Sequence, residues 1–326
     1  MTRTRIALFA VGAVVLIALP LATVPERPPT VAPSEGTPFV WDAQPLWDSL
    51  EQQFRVARAD CTPAGPAVDH LRADAEALPL DAGPDHLALI DRQPWSGALV
   101  TNPNCSTIGL VLALAPLARR FGLERVELVS LQARSGAGLT GGARLDLVDD
   151  VVPHIPREEE KLALETPKLL GRLTGTGGEL RIEPADLPVE ATCTRVPVQD
   201  GHLLCVTVTL ARPARADELR TAWSDFHGLP QELGLPSAPA RPVQVLEDPA
   251  RPRPRLDRDR ERGMAVSVGR LRPGSARPGR SWRFVCLVHN AERGAAGAAL
   301  LNAELVLAQE PAWRERAPEV PRAAPA

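Results

Sequence analysis

Residues Val100–Leu110 read V-T-N-P-N-C-S-T-I-G-L, and an apolar segment follows them directly. Asparagine is a favourable N-cap, so Asn104 predicts a helix that begins near Cys105 and continues through Ile108–Leu117. A cysteine in the first turn of a helix faces unpaired N–H groups and the positive end of the helix dipole, which lower its pKa. The pattern therefore predicts a nucleophilic Cys105 on a buried helix. The alternative is a buried structural cysteine without chemistry.

A second informative segment follows this helix and reads V-E-L-V-S-L-Q-A-R-S-G-A-G from Val126 to Gly138. Alternating residues from Arg125 to Leu131 predict a strand that ends at Gln132. The strand leads into the turn Ser135-Gly136-Ala137-Gly138, where glycines allow the backbone to approach a ligand closely. Taken alone, such a turn is more often only a turn.

A third segment contains Asp200-Gly201 between two runs rich in β-formers, which predicts a tight hairpin. In that hairpin Gln199 faces His202, and the two-residue period places Arg195 on the same side. Arg195 could then bind a carboxylate with two hydrogen bonds, while His202 acts as general acid and base. The alternative for a single histidine in a strand is a structural role.

Composition limits the classes of function. The chain has 326 residues, enough for two domains, and its net charge of −3 gives no electrostatic reason to expect nucleic-acid binding. No C-x-x-C occurs, so neither a metal site nor a disulfide framework is expected. The hairpin register also disfavours a disulfide between Cys193 and Cys205. The five cysteines are Cys61, Cys105, Cys193, Cys205 and Cys286.

The N-terminus combines a basic start with an uncharged run from Ile6 to Val24. This pattern is typical of a signal peptide or signal-anchor helix over residues 1–24, and the lack of a convincing cleavage site favours the anchor. An anchor would place the bulk of the chain outside the cytoplasm. The alternative is the first strand of a nucleotide-binding sheet, in which case the N-terminal assignment is wrong and the protein is cytoplasmic. That strand should precede a glycine-rich turn, whereas Gly12 stands alone.

The rest of the chain divides by composition. A Pro-rich linker is expected at 25–40, a short helical region of unknown role at 41–77, the main domain at 78–307 and a Pro/Ala-rich tail at 308–326. Within the main domain, residues 235–259 have the composition of a disordered linker. Strands are expected at Met264–Arg270 and Trp282–Val288, and a helix of small residues is expected from Gly294.

These motifs together resemble the aspartate-semialdehyde dehydrogenases, in particular their archaeal-like branch. N-P-N-C-S-T, Q-A-R-S-G-A-G, R-V-P-V-Q-D-G-H and H-N-A-E-R-G-A-A-G occur in the order found in that family. The resemblance implies an α+β catalytic and dimerisation domain, with a mixed sheet and helices on one face, beside a truncated Rossmann remnant. It also implies a homodimer, NADP as cofactor, and aspartyl phosphate and aspartate semialdehyde as substrates in amino-acid biosynthesis. In that branch the segment at 235–259 is ordered.

The resemblance further assigns roles to individual residues. Cys105 forms a thioacyl intermediate, Gln132 orients it and His202 is the acid and base. Substrate binding is assigned to Arg195, Glu158 and Lys161, and cofactor contacts to Ser135, Gly136, Gly138 and Asn290. The register within Glu158–Glu160 is left open, and solvated charge is the alternative for this acidic turn. His289 is expected to be structural.

The part of the family that holds the dinucleotide has no counterpart in residues 1–77, whose only glycines are Gly12, Gly36 and Gly65. Two main hypotheses follow. One is a dehydrogenase with a truncated cofactor site or a misassigned N-terminus. The other is a membrane-tethered, non-catalytic scaffold that keeps the dimerisation domain. A thiol esterase that uses Cys105 and His202 without a cofactor is a third.

Overall fold

The structure is a computed structural model, and it describes residues 7–11, 14–18, 86–89, 98–137 and 149–309. The linker and helical region expected at 25–77, the tail from residue 310, and Gly138 lie outside them.

The described residues form eleven strands in three sheets. The largest sheet is mixed and has the order β7-β4-β8-β11-β10-β9, with β4 parallel to β7 and β9 parallel to β10. This arrangement confirms the mixed sheet that the sequence predicts. The strands are β1 (Ala7–Val11), β2 (Val14–Ala18), β3 (Ala98–Thr101), β4 (Leu123–Gln132), β5 (Arg172–Thr174), β6 (Arg181–Glu183), β7 (Val189–Arg195), β8 (His202–Leu210), β9 (Val243–Leu246), β10 (Val266–Pro273) and β11 (Ser281–Val288).

Helices pack on one face of the six-stranded sheet. The longest begins at Cys105, as Asn104 predicts, and most of its residues are buried against the inward side chains of β4, β8 and β11. The other face of the sheet leaves Val129 42% exposed. The α-helices are α1 (Cys105–Phe121), α2 (Glu158–Leu169), α3 (Ala216–Ser224), α4 (Leu229–Glu232), α5 (Pro254–Asp257) and α6 (Gly297–Gln309), with a π-helix at Glu292–Ala296 and 3-10 turns at Arg134–Ala137, Gly177–Glu179 and Arg260–Gly263.

The predicted hairpin between β7 and β8 is wrong, because β4 lies between these two strands. Their connection passes around the end of β4, where the N–H of Arg134 donates to the carbonyl of Val198 at 2.8 Å. The turn signal at Asp200-Gly201 is local, whereas β4 comes from much earlier in the chain and pairs along both of its edges. Cys193 and Cys205 are both free.

Within the N-terminal helix expected over residues 1–24, the described residues 7–11 and 14–18 form strands. β1 and β2 pair antiparallel, and β2 pairs antiparallel with β3. An uncharged run suits short strands as well as a helix, and its apolar pattern does not distinguish the two. The resulting sheet is antiparallel throughout, unlike the parallel ladder of a Rossmann remnant. Among the described residues, no helix has the length and apolar character needed to cross a membrane.

The Pro/Arg-rich segment at 235–259 is ordered. The family resemblance implies this order, whereas the composition of the segment predicts a disordered linker. Its central group is Asp257, whose carboxylate is fully buried and accepts from Arg251 Nε at 2.6 Å and Arg260 Nε at 2.9 Å. The N–H of Arg253 donates to the same carboxylate at 2.8 Å. Burial alone would raise the pKa of Asp257, but these hydrogen bonds outweigh it and lower the pKa to about 2.

Candidate active site

The nucleophile candidate lies at the first residue of α1. Asn104 caps this helix, because its Oδ1 accepts from the N–H groups of Ser106 at 2.9 Å and Thr107 at 3.3 Å. The N–H of Asn104 donates to the Glu165 carboxylate at 2.8 Å, which fixes the chain just before the helix. Cys105 therefore occupies a rigid position with its side chain directed toward the end of the sheet.

Three strands bring the remaining catalytic candidates together. Gln132 is the last residue of β4 and pairs with Arg195 on β7. On the other side of β4, Leu131 pairs with Leu203, which follows His202 at the start of β8. Paired residues point to the same face of a sheet, so Arg195, Gln132 and His202 form a row across β7, β4 and β8. The prediction that arginine and histidine share a face is confirmed, although β4 and not a hairpin causes it.

The imidazole of His202 meets the sulfur of Cys105. Cys105 Sγ lies 3.2 Å from His202 Nε2, and His202 is fully buried. On the opposite side of the ring, the N–H of Ala133 donates to Nδ1 at 3.0 Å. Ala133 also joins the ring to Arg195, whose Nη1 donates to the Ala133 carbonyl at 2.7 Å. A thiol, an imidazole and a guanidinium thus share one small volume.

The electrostatics of the sulfur differ from the sequence prediction. Burial is the main cause that raises the pKa of Cys105 to about 12, and the Glu158 carboxylate is the next. Arg195 and Lys161 oppose this shift but do not overcome it. The expectation of a lowered thiol pKa at the helix N-terminus is therefore wrong for the protein without substrate, because desolvation of a thiolate costs more than the helix end supplies.

His202 is neutral for a related reason. Burial, followed by the electrostatic effect of Arg195, lowers the pKa of His202 to about 3. Together with the raised pKa of Cys105, this shift favours a neutral thiol and a neutral imidazole in the protein without substrate.

Of the three glutamates in the acidic turn of α2, Glu158 is the one that is buried beside the site. Glu158 is buried and accepts from Lys161 Nζ at 3.0 Å, Asn104 Nδ2 at 2.8 Å and Gln132 Nε2 at 3.1 Å. Burial alone would raise the pKa of Glu158, but these donors and the charge of Lys161 hold it below its usual range. Glu159 instead accepts from the N–H of Cys193 at 2.9 Å, and Glu160 is exposed.

The candidate cofactor residues lie beside the row of catalytic side chains. Asn290 Nδ2 donates to Ser135 Oγ at 2.8 Å, and Asn290 Oδ1 accepts from the N–H of Gly201 at 2.8 Å. Gly136 is exposed, and a Cβ there would lie 2.7 Å from Arg195 Nη1 and 2.8 Å from His202 Cε1. The sequence assigned a nicotinamide contact to Asn290 but did not reveal its hydrogen bonds to the two active-site loops.

Sequence reasoning missed Gly294, although the R-G-A-A-G motif contains it. A Cβ at Gly294 would lie 2.6 Å from the Cβ of Cys105, so only glycine lets the π-helix reach the nucleophile. Asn102 holds that π-helix, because its Nδ2 donates to the Ala295 carbonyl at 2.7 Å and its Oδ1 accepts from Asn302 at 2.9 Å. Sequence spacing contains no signal for this contact, since the two segments meet only in the folded chain.

Two further expectations concern other groups. His289 lies 3.7 Å from the Asp259 carboxylate and 3.4 Å from the N–H of Glu292, in keeping with a structural role. Within the described part of the chain, no cluster of three or more His, Cys, Asp or Glu side chains could hold a metal ion.

Known proteins with similar sequences and structures agree with this geometry. Residues 114–291 match the family model described as semialdehyde dehydrogenase, dimerisation domain. The aspartate-semialdehyde dehydrogenase of Methanothermobacter thermautotrophicus is 47% identical over 230 residues, which cover 69% of this chain and 65% of that protein. The enzyme of the same name from Archaeoglobus fulgidus is 40% identical over 277 residues, which cover 83% of this chain and 77% of that protein.

A solved structure shows the same fold. The crystal structure of aspartate semialdehyde dehydrogenase with NADP from Candida albicans has a TM-score of 0.64 and 36% identity, covering 74% of this chain and 69% of that one. The chain thus spans less than two thirds of the Methanothermobacter relative and somewhat more of the other two proteins. Sequence identity, the matching domain model and the shared fold together place this chain in the aspartate-semialdehyde dehydrogenase family.

Proposed function

We propose that this chain interconverts aspartyl phosphate and aspartate semialdehyde, using NADP and a thioacyl intermediate on Cys105. The observation that carries the proposal is the 3.2 Å contact between Cys105 Sγ and His202 Nε2, with Gln132 and Arg195 in the same row. A scaffold that served only for dimerisation would not need these four side chains to converge. The names of the relatives from Methanothermobacter and Archaeoglobus support the same reaction.

The first half-reaction is acyl transfer to the sulfur. A bond forms between Cys105 Sγ and the acyl carbon, the carbon–oxygen bond to phosphate breaks, and the thiol proton leaves on the phosphate. Arg195 would bind the substrate carboxylate, since a guanidinium matches a carboxylate with two hydrogen bonds. Glu158 would receive the substrate ammonium group, and Lys161 beside it would attract the phosphate.

The second half-reaction reduces the thioester. NADPH, when bound, supplies the hydride to the acyl carbon. Ser135, Gly136 and Asn290 border the edge where the nicotinamide end fits, and they would hold it against the row of catalytic residues. Negative charge that develops on the former carbonyl oxygen needs hydrogen-bond donors in a preorganised position. Gln132 and His202 flank the place where that oxygen would lie. When the aldehyde is released the carbon–sulfur bond breaks, and the thiolate that leaves takes up a proton from solvent.

Activity of the full-length chain tests this proposal. NADP reduction is followed with aspartate semialdehyde and inorganic phosphate, and NADPH binding is followed separately by fluorescence titration. We expect turnover that Cys105→Ser abolishes and that the matched variant Cys205→Ser retains, because Cys205 lies on the far face of the sheet. If the folded chain shows neither turnover nor NADPH binding, the proposal is contradicted and the non-catalytic scaffold is favoured.

The same domain would form a homodimer through the face of the sheet opposite α1. This face carries Val129, which is 42% exposed, and the exposed Cys205 on the neighbouring strand. The matching family model is itself described as a dimerisation domain. Light scattering after gel filtration should give the mass of two chains, and Val129→Glu should give one. Leu164→Glu, on α2 and at a position 73% exposed, is the matched control and should leave the mass unchanged.

A further inference from the structure

A row of polar and charged side chains crosses the face of the six-stranded sheet that lies opposite α1. The row runs over five neighbouring strands, from β7 to β10, and each member pairs in register with the next. Paired residues point to the same face, and none of the five is buried. We call this set the charge row. In order across the sheet it consists of Glu190, Glu127, Thr207, Arg283 and Arg272.

The acidic end of the charge row, Glu190 and Glu127, keeps one negative charge in excess. Arg125 lies on the same face and contacts Glu127 at 2.7 Å and Glu190 at 2.8 Å. It uses one oxygen of each carboxylate, and a carboxylate can accept further hydrogen bonds. The side chains of Glu127 and Glu190 are 50% and 65% exposed, so donors from another molecule can reach both.

The basic end of the charge row lacks a counter-charge. Arg283 and Arg272 are directly opposite each other on β11 and β10, and like charges in that position destabilise a sheet. Among the described residues, no carboxylate forms an ion pair with either arginine. Burial, followed by the positive charges of Arg283 and Arg270, lowers the pKa of Arg272. Carboxylates from a second molecule would offset this repulsion.

A second copy of the same face carries those carboxylates, and the charge row favours one way for the two copies to meet. Two sheets that pack face to face in the aligned manner keep their strands within about 30° of each other. The two-fold axis of such a dimer lies between the sheets, either along the row or along the strands. An axis along the row places glutamate opposite glutamate and arginine opposite arginine. An axis along the strands near Thr207 reverses the row and places each acidic end opposite a basic end.

We propose that the charge row orients the homodimer, with the two-fold axis parallel to β8 and each acidic end paired with the basic end of the other copy. This inference rests on the homodimer of the proposed function, and it adds the symmetry axis and the charges by which one copy recognises the other. The two contacts related by the axis offset the repulsion between Arg272 and Arg283 in both copies. Opposed like charges weaken association, so the same row also disfavours the other orientation.

Charge reversal in the full-length chain tests the orientation. Arg272→Glu with Arg283→Glu makes both ends of the row acidic, and Glu127→Arg with Glu190→Arg makes both ends basic. The dissociation constant of the dimer is measured by sedimentation velocity for each double variant and for an equimolar mixture of the two. We expect each double variant alone to dimerise about 10²-fold more weakly than the wild type, because like charges then meet at both ends. The mixture should recover most of the wild-type affinity.

The matched control is Arg120→Glu, which makes the same change of charge at an exposed position of α1, on the other side of the sheet. It should leave the dissociation constant unchanged. Double variants that dimerise as tightly as the wild type would overturn the proposal, because an axis along the row only exchanges one like-charge contact for another. A mixture that stays monomeric, although circular dichroism shows both variants to be folded, would overturn it as well.

Salt provides a second test that needs no variant. The screening length falls to about 3 Å at 1 M salt, so the dissociation constant of the wild-type dimer should rise with the concentration of sodium chloride. A constant that does not rise overturns the proposal. Both tests omit substrate and cofactor. An active dimer that is insensitive to charge reversal would therefore refute only the orientation, and an inactive chain with the expected sensitivity would refute only the proposed reaction.

Discussion

Replacing Gly294 by alanine tests whether a missing side chain sets the position of the nucleophile. The new Cβ would lie 2.6 Å from the Cβ and 3.1 Å from the Cα of Cys105. Carbon atoms in contact prefer separations of about 3.5–4.0 Å, so the π-helix and α1 must move apart by about 1 Å. A displacement of about 1 Å at a reacting group costs about 10²-fold in rate, and overpacking costs about 1–3 kcal/mol in stability. We expect kcat/KM for aspartate semialdehyde to fall by about 10²-fold.

A matched variant separates the loss of position from the loss of stability. At Gly269 a Cβ would lie 2.6 Å from the Arg251 carbonyl oxygen, which is a comparable clash on β10 with no contact to Cys105. Gly269→Ala should therefore lower the free energy of unfolding to a similar extent and leave kcat/KM nearly unchanged. Urea denaturation and steady-state kinetics are measured for both variants. If Gly294→Ala and Gly269→Ala lose equal stability and have equal kcat/KM, the argument that Gly294 positions the nucleophile is refuted.

Substitutions at three further positions test the groups around the site and the ordered segment at 235–259. Asn104→Ala should lower the free energy of unfolding by about 1 kcal/mol in urea denaturation. Asn104→Ser keeps a capping oxygen and should lower it less. Equal losses in the two variants would contradict the role of Asn104 as the N-cap of α1. The pKa of Glu158 is lower in the folded than in the unfolded chain. Its ionised form therefore stabilises the fold above the unfolded pKa of about 4.3, and this stabilisation is lost as the pH falls through the folded pKa. Glu158→Gln should be less stable than the wild type at pH 7 but not at low pH. Alkylation of Cys105 should also be faster in this variant, because one cause of the raised thiol pKa is removed. Asp257→Asn should lower the free energy of unfolding by about 2 kcal/mol at pH 7, in line with a pKa lowered from 3.8 to about 2. This loss of stability should vanish below about pH 2. A difference in stability that does not depend on pH would show that the charge of Asp257 is not the cause.

The sequence predicted best those features that depend on neighbouring residues. Asn104 as N-cap and Cys105 as the first residue of the helix follow from one short motif, and both are confirmed. The strand leading to Gln132 is confirmed for the same reason, since its alternation reflects one buried and one open face.

Features that depend on distant partners were predicted less well. The chain bends at Gln199 and Asp200, and Gly201 has a positive φ, but a local bend does not state which strands it joins. β4 lies between β7 and β8 and pairs with one of them along each edge. The sequence of residues 189–210 contains no signal that predicts this insertion. The shared face of Arg195 and His202 was still predicted correctly, since side chains alternate with the same period whichever strand is the neighbour.

The segment at 235–259 and the first residues show how composition can mislead. A Pro/Arg-rich stretch has little apolar surface to bury, yet Asp257 organises it by accepting from three donors in the interior. The apolar run after residue 6 fits a helix by its length, yet residues 7–11 and 14–18 form strands. Pairing of β2 with β3 decides between them, and that pairing joins residues more than eighty positions apart.

The charges around Cys105 explain how a sulfur with a raised pKa can serve as a nucleophile. Burial is the largest cause of the raised pKa, and the Glu158 carboxylate is the next. In the proposed reaction the substrate brings an ammonium group to Glu158, and an opposite charge at that distance cancels much of the effect of the carboxylate on the thiol. The same binding event brings the acyl carbon to the sulfur and the phosphate that removes the proton. A thiolate is then needed only when its target is present, and without substrate the sulfur stays protonated and slow to oxidise.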